Sequence, residues 1–482
     1  MKEDSAKSVV SNFAYNAAYQ ILRMILPLIT IPYVTRVLGA EKVGIYNYTY
    51  AIAMYFAMFA YLGFENYGNR LIAQVRDDQT KLNEAFSGAY TFQIASSLTA
   101  ILLYIGYVLL FCRKNIEIAW IQIVYISSEL FNISWLYFGL EKFKKTATVN
   151  FVVKLASFIA IFLFVKKPDD LPIYTLICSG ALLTSALVLW TGVPRHVRFC
   201  RVPLKEILRH GKGTLILFFP VLVYSIYMSM DKIMLGNMAS MVDVGLYSCA
   251  EKVTGVPYSI ITALGVVMIP RMTSYISKGD SEKTLKYIKA SMRFMLFLAC
   301  GMSFGMIGVG KVFAPVFFGK EYVESGPLIM IIAPMIIVRA CANVVRTQYL
   351  LPAGRDKDYI VSIVLGMVIN LVFNALLIPT WKAAGAAIAT LMTESFVALY
   401  QIAVCRKDIP VVRYTFRNWP FLVAGALMMI PVLLFGRAHS ASVATLLEQI
   451  ALGAAVYLIL GGSYLFREEK DLIKALISRE KS

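Results

Sequence analysis

VLGAEKVGIYNYTYAI, residues 37–52, returns about 200 residues later as MLGNMASMVDVGLYSCAEKV, residues 234–253. Both copies read Leu-Gly, a short turn, Val-Gly, Ile or Leu, then Tyr. Each copy lies where one long apolar run ends and the next begins. Six runs separate the copies, and six is even, so both cross in one orientation. That is a parallel repeat, its halves related by an axis along the membrane normal. Chance similarity of apolar text is the bland alternative. The equal place of the two copies within their halves speaks against it.

The runs themselves follow one another from residue 12 to residue 466. Apolar residues make up 59% of the 482-residue chain and charged residues only 16%. A globular protein of this length does not bury so much apolar surface, whereas a bilayer takes about 20 apolar residues per crossing. The runs are too long for core strands and do not alternate in period two, so neither a soluble bundle nor a β-barrel fits. The expected fold is an all-α polytopic membrane protein of about 14 transmembrane helices. It divides into an N-lobe (1–193, helices 1–6), a basic inter-lobe loop (194–212), a C-lobe (213–405, helices 7–12), two trailing helices (406–466) and a tail (467–482). The tail, REEKDLIKALISREKS, reads as a short amphipathic helix on the inner surface or as a solvated frayed end.

The net charge of +18 could suggest nucleic acid, but its distribution does not. Lys and Arg number roughly 30 on the side shared by the termini and roughly 9 on the other, which orients the chain with both termini in the cytoplasm. The N-terminus carries acids and no cleavage site, so it is not a removable signal peptide. Seven cysteines stand singly with no metal-ligand spacing and read as small apolar fillers. GxxxxGK at Gly305, Gly310 and Lys311 lacks the following Ser or Thr and any preceding strand, so it is an accidental match to a phosphate loop. No HExxH, GxSxG or carboxylate cluster points to hydrolysis. The outer loops are short, which also argues against a membrane enzyme. The chain is therefore expected to hold no cofactor. Uphill transport would draw on a proton or sodium gradient or on the membrane potential.

Ionisable residues deep in hydrocarbon cost about 2.5–3.5 kcal/mol each on insertion scales and need a reason. Asn16, Tyr19 and Arg23 share one face of the first helix with Asn12 and Thr30, a polar stripe expected to face a wet interior. Pairing of Arg23 with carbonyls freed by Pro27 and Pro32 is the structural alternative. Arg339, Asn343 and Arg346 share a face of the tenth helix. Arg suits phosphate because its planar fork donates two parallel hydrogen bonds; Arg346 could instead reach the inner surface. Lys154 joins the candidate cavity residues, with snorkelling as its alternative. Asp231 is the best candidate for ion or proton coupling, followed by Glu129 and Glu394.

The stretch LPLITIPYVTRVLGAEKVGIYNYTYAIAMYFAMFAYLGFENYGNRLIAQVRDD (26–78) resembles the N-terminal signature of the bacterial polysaccharide (O-antigen, Wzx-type) flippases. MDKIMLG (230–236), ALGVVMIPR (263–271), FGKEY (318–322) and GAAIATLMTES (385–395) look like the same family. The resemblance covers essentially the whole chain. It implies membership of the multidrug/oligosaccharidyl-lipid/polysaccharide (MOP) superfamily, with two six-helix lobes and, in many members, two extra helices. It implies alternating access through a cationic cavity, carrying undecaprenyl-pyrophosphate-linked oligosaccharide from the inner to the outer leaflet. Arg23, Asp231 and Arg339 fall on helices that line the lumen in that family. The expected partners are membrane lipid and the lipid-linked oligosaccharide, with a glycan polymerase and glycosyltransferases nearby, and the chain working as a monomer. A cation-coupled multidrug antiporter of the same superfamily would want a negative, aromatic cavity. A glycan polymerase is the more distant rival.

Overall fold

In hydrocarbon every backbone N–H and C=O must find a partner within the protein, which leaves the helix as the element for apolar runs of this length. The computed structural model describes the backbone of residues 2–468 and the side chains of residue 26 and residues 28–468. Its regular elements are helical, with no strand among the described residues. Eleven helices among those residues are long and apolar enough to cross a membrane. The expected spans from residue 85 onward fall within these eleven. One of them, Asp356–Cys405, is a 50-residue element bent at Lys382 (φ 49°, ψ −128°) that holds two expected spans. The first expected span and most of the second lie in Lys2–Tyr61, which is not among the eleven. The figure of fourteen remains an expectation. Many spans leave apolar side chains uncovered, among them Leu103, Leu109, Leu110 and Val267. Such faces suit lipid and would be costly in water.

Both repeat copies straddle a helix break. In the first, Gly39 takes a left-handed backbone (φ 77°) inside Lys2–Tyr61. In the second, Leu204–Met238 ends and Met241–Ser277 begins after Ser240, whose hydroxyl accepts from the Asp243 N–H at 3.1 Å. This is an N-cap satisfying one of the orphan donors of a helix start. The chain forms two compact units, residues 1–233 and 234–482, so the division falls inside Leu204–Met238.

Unit 1 packs Phe64, Phe86, Trp135, Tyr137 and Leu189 into one cluster. Gly68 is required there, because a methyl at that position would stand 2.6 Å from the Trp135 ring. A second cluster joins Ala53, Ala57 and Ala60 to Ala100 and Tyr104. These small residues let helices approach closely, the usual source of packing energy in a bilayer.

Unit 2 is centred on Met292, Met295, Ala299, Ile336, Ala340 and Val344. Here Gly310 and Gly326 lie face to face. A methyl on Gly326 would meet the Gly310 carbonyl oxygen at 2.9 Å and Lys311 Cα at 3.0 Å. The GxxxxGK text is thus a helix crossing. At one end of unit 2, Arg293 is nearly fully buried and donates to the Glu468 carboxylate at 2.8 Å and to its carbonyl at 3.1 Å. Arg417 reaches the same carboxylate at 3.2 Å. This clasp fastens the end of the last described helix. The amphipathic-tail reading concerns residues 469–482, which lie outside the described residues. None of the seven cysteines is in a disulfide: Cys200 is exposed, Cys112 and Cys178 are half-buried and the other four are buried.

Candidate functional site

Unit 2 gathers the charged residues of the tenth expected span around one tyrosine. Arg339 sits in Met335–Val345 and Arg346 opens the wide π turn Arg346–Leu350 that follows. The Arg339 guanidinium donates through Nε to the Glu394 carboxylate at 2.7 Å, and a second guanidinium nitrogen lies 2.5 Å from the same oxygen. Both side chains are about nine-tenths covered. The other face of Arg339 lies 4.8 Å from the Tyr258 ring, a cation–π contact. Tyr258 in turn accepts from Arg346 at 3.4 Å through its hydroxyl. Arg346 is half-buried and also stands 5.9 Å from the Tyr359 ring.

Asn343, between the two arginines, is 1% exposed, and neither its amide nitrogen nor its amide oxygen has a hydrogen-bond partner. Gly265 makes room for it, since a methyl there would overlap the Asn343 amide oxygen. Gln348 is equally buried with both amide atoms unpartnered. Buried amides usually find a partner, so this pair is suited to water or a polar guest. Two guanidiniums against one carboxylate leave the set with a net charge of about one. The arrangement can hold an anion.

Arg339 and Glu394 were expected to serve separate roles, and the structure brings them together as an ion pair. Arg339 is therefore not an uncompensated cation, because burial of a lone guanidinium is far costlier than burial of a pair.

In unit 1, Glu129 is half-buried and accepts from the Asn132 amide at 2.8 Å. Gln93 donates to the carbonyls of Glu129 (2.7 Å) and Asn132 (2.9 Å) and accepts from the Trp135 indole at 2.9 Å. This network satisfies the backbone where the fourth expected span breaks, after Ile123–Leu130. Glu129 and Lys232 both act electrostatically on Tyr50. Asp231 is buried in Leu204–Met238, and its charge acts on Tyr55, whose hydroxyl donates to the Ser225 carbonyl at 3.3 Å. Lys154 is exposed on Phe143–Phe164. The side chains of Asn16, Tyr19 and Arg23 lie outside the described residues. A cavity of about 360 Å³ opens at one end of unit 1, lined in part by Lys42, Asn115, Glu117 and Asp169. Among the described residues no group of three or more His, Cys, Asp or Glu could hold a metal ion.

Tyr258, Gly265 and Gln348 were not anticipated. Tyr258 follows Pro257 and carries no charge, and Gln348 sits past the helical register of the arginine stripe. The three-four spacing that selected Arg339, Asn343 and Arg346 says nothing about a facing helix.

The family model described as polysaccharide biosynthesis protein matches residues 9–276. The chain is 24% identical over 405 residues to the "Putative O-antigen transporter" of Escherichia coli (strain K12), covering 83% of this chain and 97% of that protein. It is 27% identical over 162 residues to "Lipid II flippase MurJ" of Bacillus subtilis (strain 168), a match spanning 33% of this chain and 29% of that one. A solved structure of lipid II flippase MurJ in an inward closed conformation superposes with a TM-score of 0.74 at 14% identity, covering 95% of this chain and 99% of that chain. An inward-facing multidrug resistance MATE transporter of the MOP superfamily gives 0.59 at 12% identity, with 81% and 99% covered. These likenesses bear out the expected helical membrane fold of that superfamily. Matched over more than half its length, the chain belongs to the polysaccharide biosynthesis protein family.

Proposed function

We propose that the protein is a flippase that carries lipid-linked oligosaccharide from the inner to the outer leaflet of the cytoplasmic membrane. It is a transporter and not an enzyme. The supporting observation is the buried set of Arg339, Glu394, Tyr258 and Arg346 with the unpartnered amide of Asn343. Charge is expensive at this depth, and its retention in a helical membrane protein is a mark of a transport path. Guanidiniums favour a phosphate-bearing guest. The relatives named for flipping and for O-antigen transport support the same substrate class. A multidrug antiporter fits the fold but not an arginine-rich set, because cationic drugs want acidic walls.

In this reading the isoprenoid tail stays in lipid while the head group moves by alternating access along a basic, wet path. Glu394, which holds Arg339, is a candidate for ion coupling, with a proton or sodium gradient or the membrane potential as the drive. Asp231 and Glu129 are further candidates for ion coupling, and Arg23, Asn16, Tyr19 and Lys154 for the path. Both termini lie in the cytoplasm, the working form is a monomer, and glycosyltransferases and a polymerase act before and after it.

Deletion of the gene tests the reading. Single repeat units should accumulate on the inner leaflet. Unpolymerised units displayed outside would mean a polymerase, and drug sensitivity with normal glycan would mean an antiporter. Complementation extends the test to one residue. Arg346→Ala should lower export by about ten- to a hundredfold, the range for losing a charged hydrogen bond of about 1.5–3 kcal/mol. Arg346→Lys should keep part of the activity if charge alone matters. Normal export in Arg346→Ala would remove that residue from the path.

A further inference from the structure

A second basic cluster lies in unit 1. The turn at residues 139–145 and the segment 189–196 meet there. Lys142 Nζ stands 3.2 Å from Nδ1 and 3.3 Å from Nε2 of His196. Lys145 Nζ donates to the Tyr137 hydroxyl at 3.0 Å, reaches the Leu189 carbonyl at 3.5 Å and lies 4.7 Å from the Tyr137 ring centre. Arg195, at the end of the turn Val193–Arg195, is close enough to act on both Lys145 and His196.

The fold holds these like charges together instead of letting them separate. Tyr137 is fully buried and anchored by its own bond to the Leu189 carbonyl at 2.6 Å. Gly192 leaves the space that Lys145 fills; a methyl there would overlap Nζ and come within 2.8 Å of the Tyr137 oxygen. The neighbouring carboxylate of Glu141 is taken by Arg76 at 2.6 Å. Partial burial, with Lys142, Lys145 and Arg195 around it, holds the His196 imidazole below its ordinary value. A cluster of cations whose neighbouring acid in the chain is already paired is relieved by an anion of multiple charge. Lysine ammoniums are common phosphate binders as point charges, and arginine adds a planar fork.

We propose that Lys142, Lys145 and Arg195 form a phosphate-binding site at this end of unit 1, shaped to take the phosphate group of a lipid head group or a diphosphate. The charge bias assigns this end to the cytoplasm, where anionic lipid and lipid-linked diphosphate both present phosphate at the surface. The site rests on the flippase reading only for the source of the phosphate, not for its chemistry.

The chain has three histidines, His196, His210 and His439, which makes His196 a readable probe. The purified full-length protein, with labelled histidine in micelles, would be titrated by NMR. The probes are inorganic phosphate, pyrophosphate, farnesyl diphosphate, and nanodiscs of phosphatidylglycerol or phosphatidylcholine. Bound phosphate should raise the His196 midpoint by screening its three cationic neighbours and leave His439 unmoved. The shift should vanish in Lys142→Gln/Lys145→Gln and shrink in Gly192→Ala, with farnesyl diphosphate binding weakened about tenfold or more in the double variant. A response to the diphosphates supports a diphosphate ligand, a response to phosphatidylglycerol alone supports the lipid source, and a response to inorganic phosphate alone supports free phosphate. No shift with any probe, or the same shift in the double variant, overturns the site. Neither result depends on export, so phosphate binding by a protein whose deletion leaves glycan export normal would count against the flippase reading alone.

Discussion

Glu394→Ala should unfold at a markedly lower temperature than the parent protein, with a loss of about 3–5 kcal/mol, because it strands a buried guanidinium. Arg339 and Glu394 are each about nine-tenths covered and share one carboxylate oxygen at 2.5–2.7 Å. Their attraction offsets two desolvation costs only while both are present. The Tyr258 ring, a contact of about 2 kcal/mol when desolvated, does not replace an ion pair. The double change Arg339→Met with Glu394→Leu replaces the pair by apolar groups of similar size. It should recover most of the lost stability and export no glycan. Thermal unfolding in detergent, beside glycan export in cells, separates the two roles. A parental unfolding midpoint in Glu394→Ala would mean that the pair carries no stability. Normal export by the double variant would take the pair off the transport path.

Glu468→Ala should cost about 3 kcal/mol, again by taking the carboxylate from a buried arginine. Arg293 is 4% exposed at its side chain and spends two hydrogen bonds on this one residue. Arg417 faces the same carboxylate but is about half exposed. Without the acid, two guanidiniums face one another across a vacated position. Arg417→Ala should cost no more than about 1 kcal/mol, the usual value of an exposed pair. The contrast should persist in high salt, which screens the exposed contact and spares the covered one. Hydrogen exchange across residues 463–468 should quicken in Glu468→Ala and stay nearly unchanged in Arg417→Ala. Equal effects of the two changes would mean that burial of Arg293 is not what fastens the final helix.

The spans were legible because an apolar run near bilayer length has few other uses. Both helix breaks in the repeat were legible too, since Gly39 supplies the left-handed turn and Ser240 the cap. What faces what was not. Periodicity put Arg339, Asn343 and Arg346 on one stripe, yet Glu394 lies 55 residues further along, and no local pattern joins them. Glu129 reads from sequence as an isolated acid, whereas Asn132 and Gln93 tie its segment to a break in the helix that no Pro or Gly announces. The bend at Lys382, by contrast, falls where one expected span ends and the next begins. The neighbours of Arg339 that the sequence did reveal were charged or polar; Tyr258 and Gly265 escaped because an aromatic and a glycine are ordinary in a membrane helix.

Cys200 is exposed and its backbone N–H donates to Ser87, close to the basic turn, while half-buried Cys112 donates to the Lys114 carbonyl in the loop that leads to Asn115. The wild-type chain thus carries natural thiol tags in two loops that the charge bias assigns to opposite sides of the bilayer. A membrane-impermeant maleimide should leave Cys200 unlabelled in intact cells and modify it once the membrane is permeabilised. Labelling of Cys200 from outside would turn the assigned orientation over, and with it the direction in which cargo is carried.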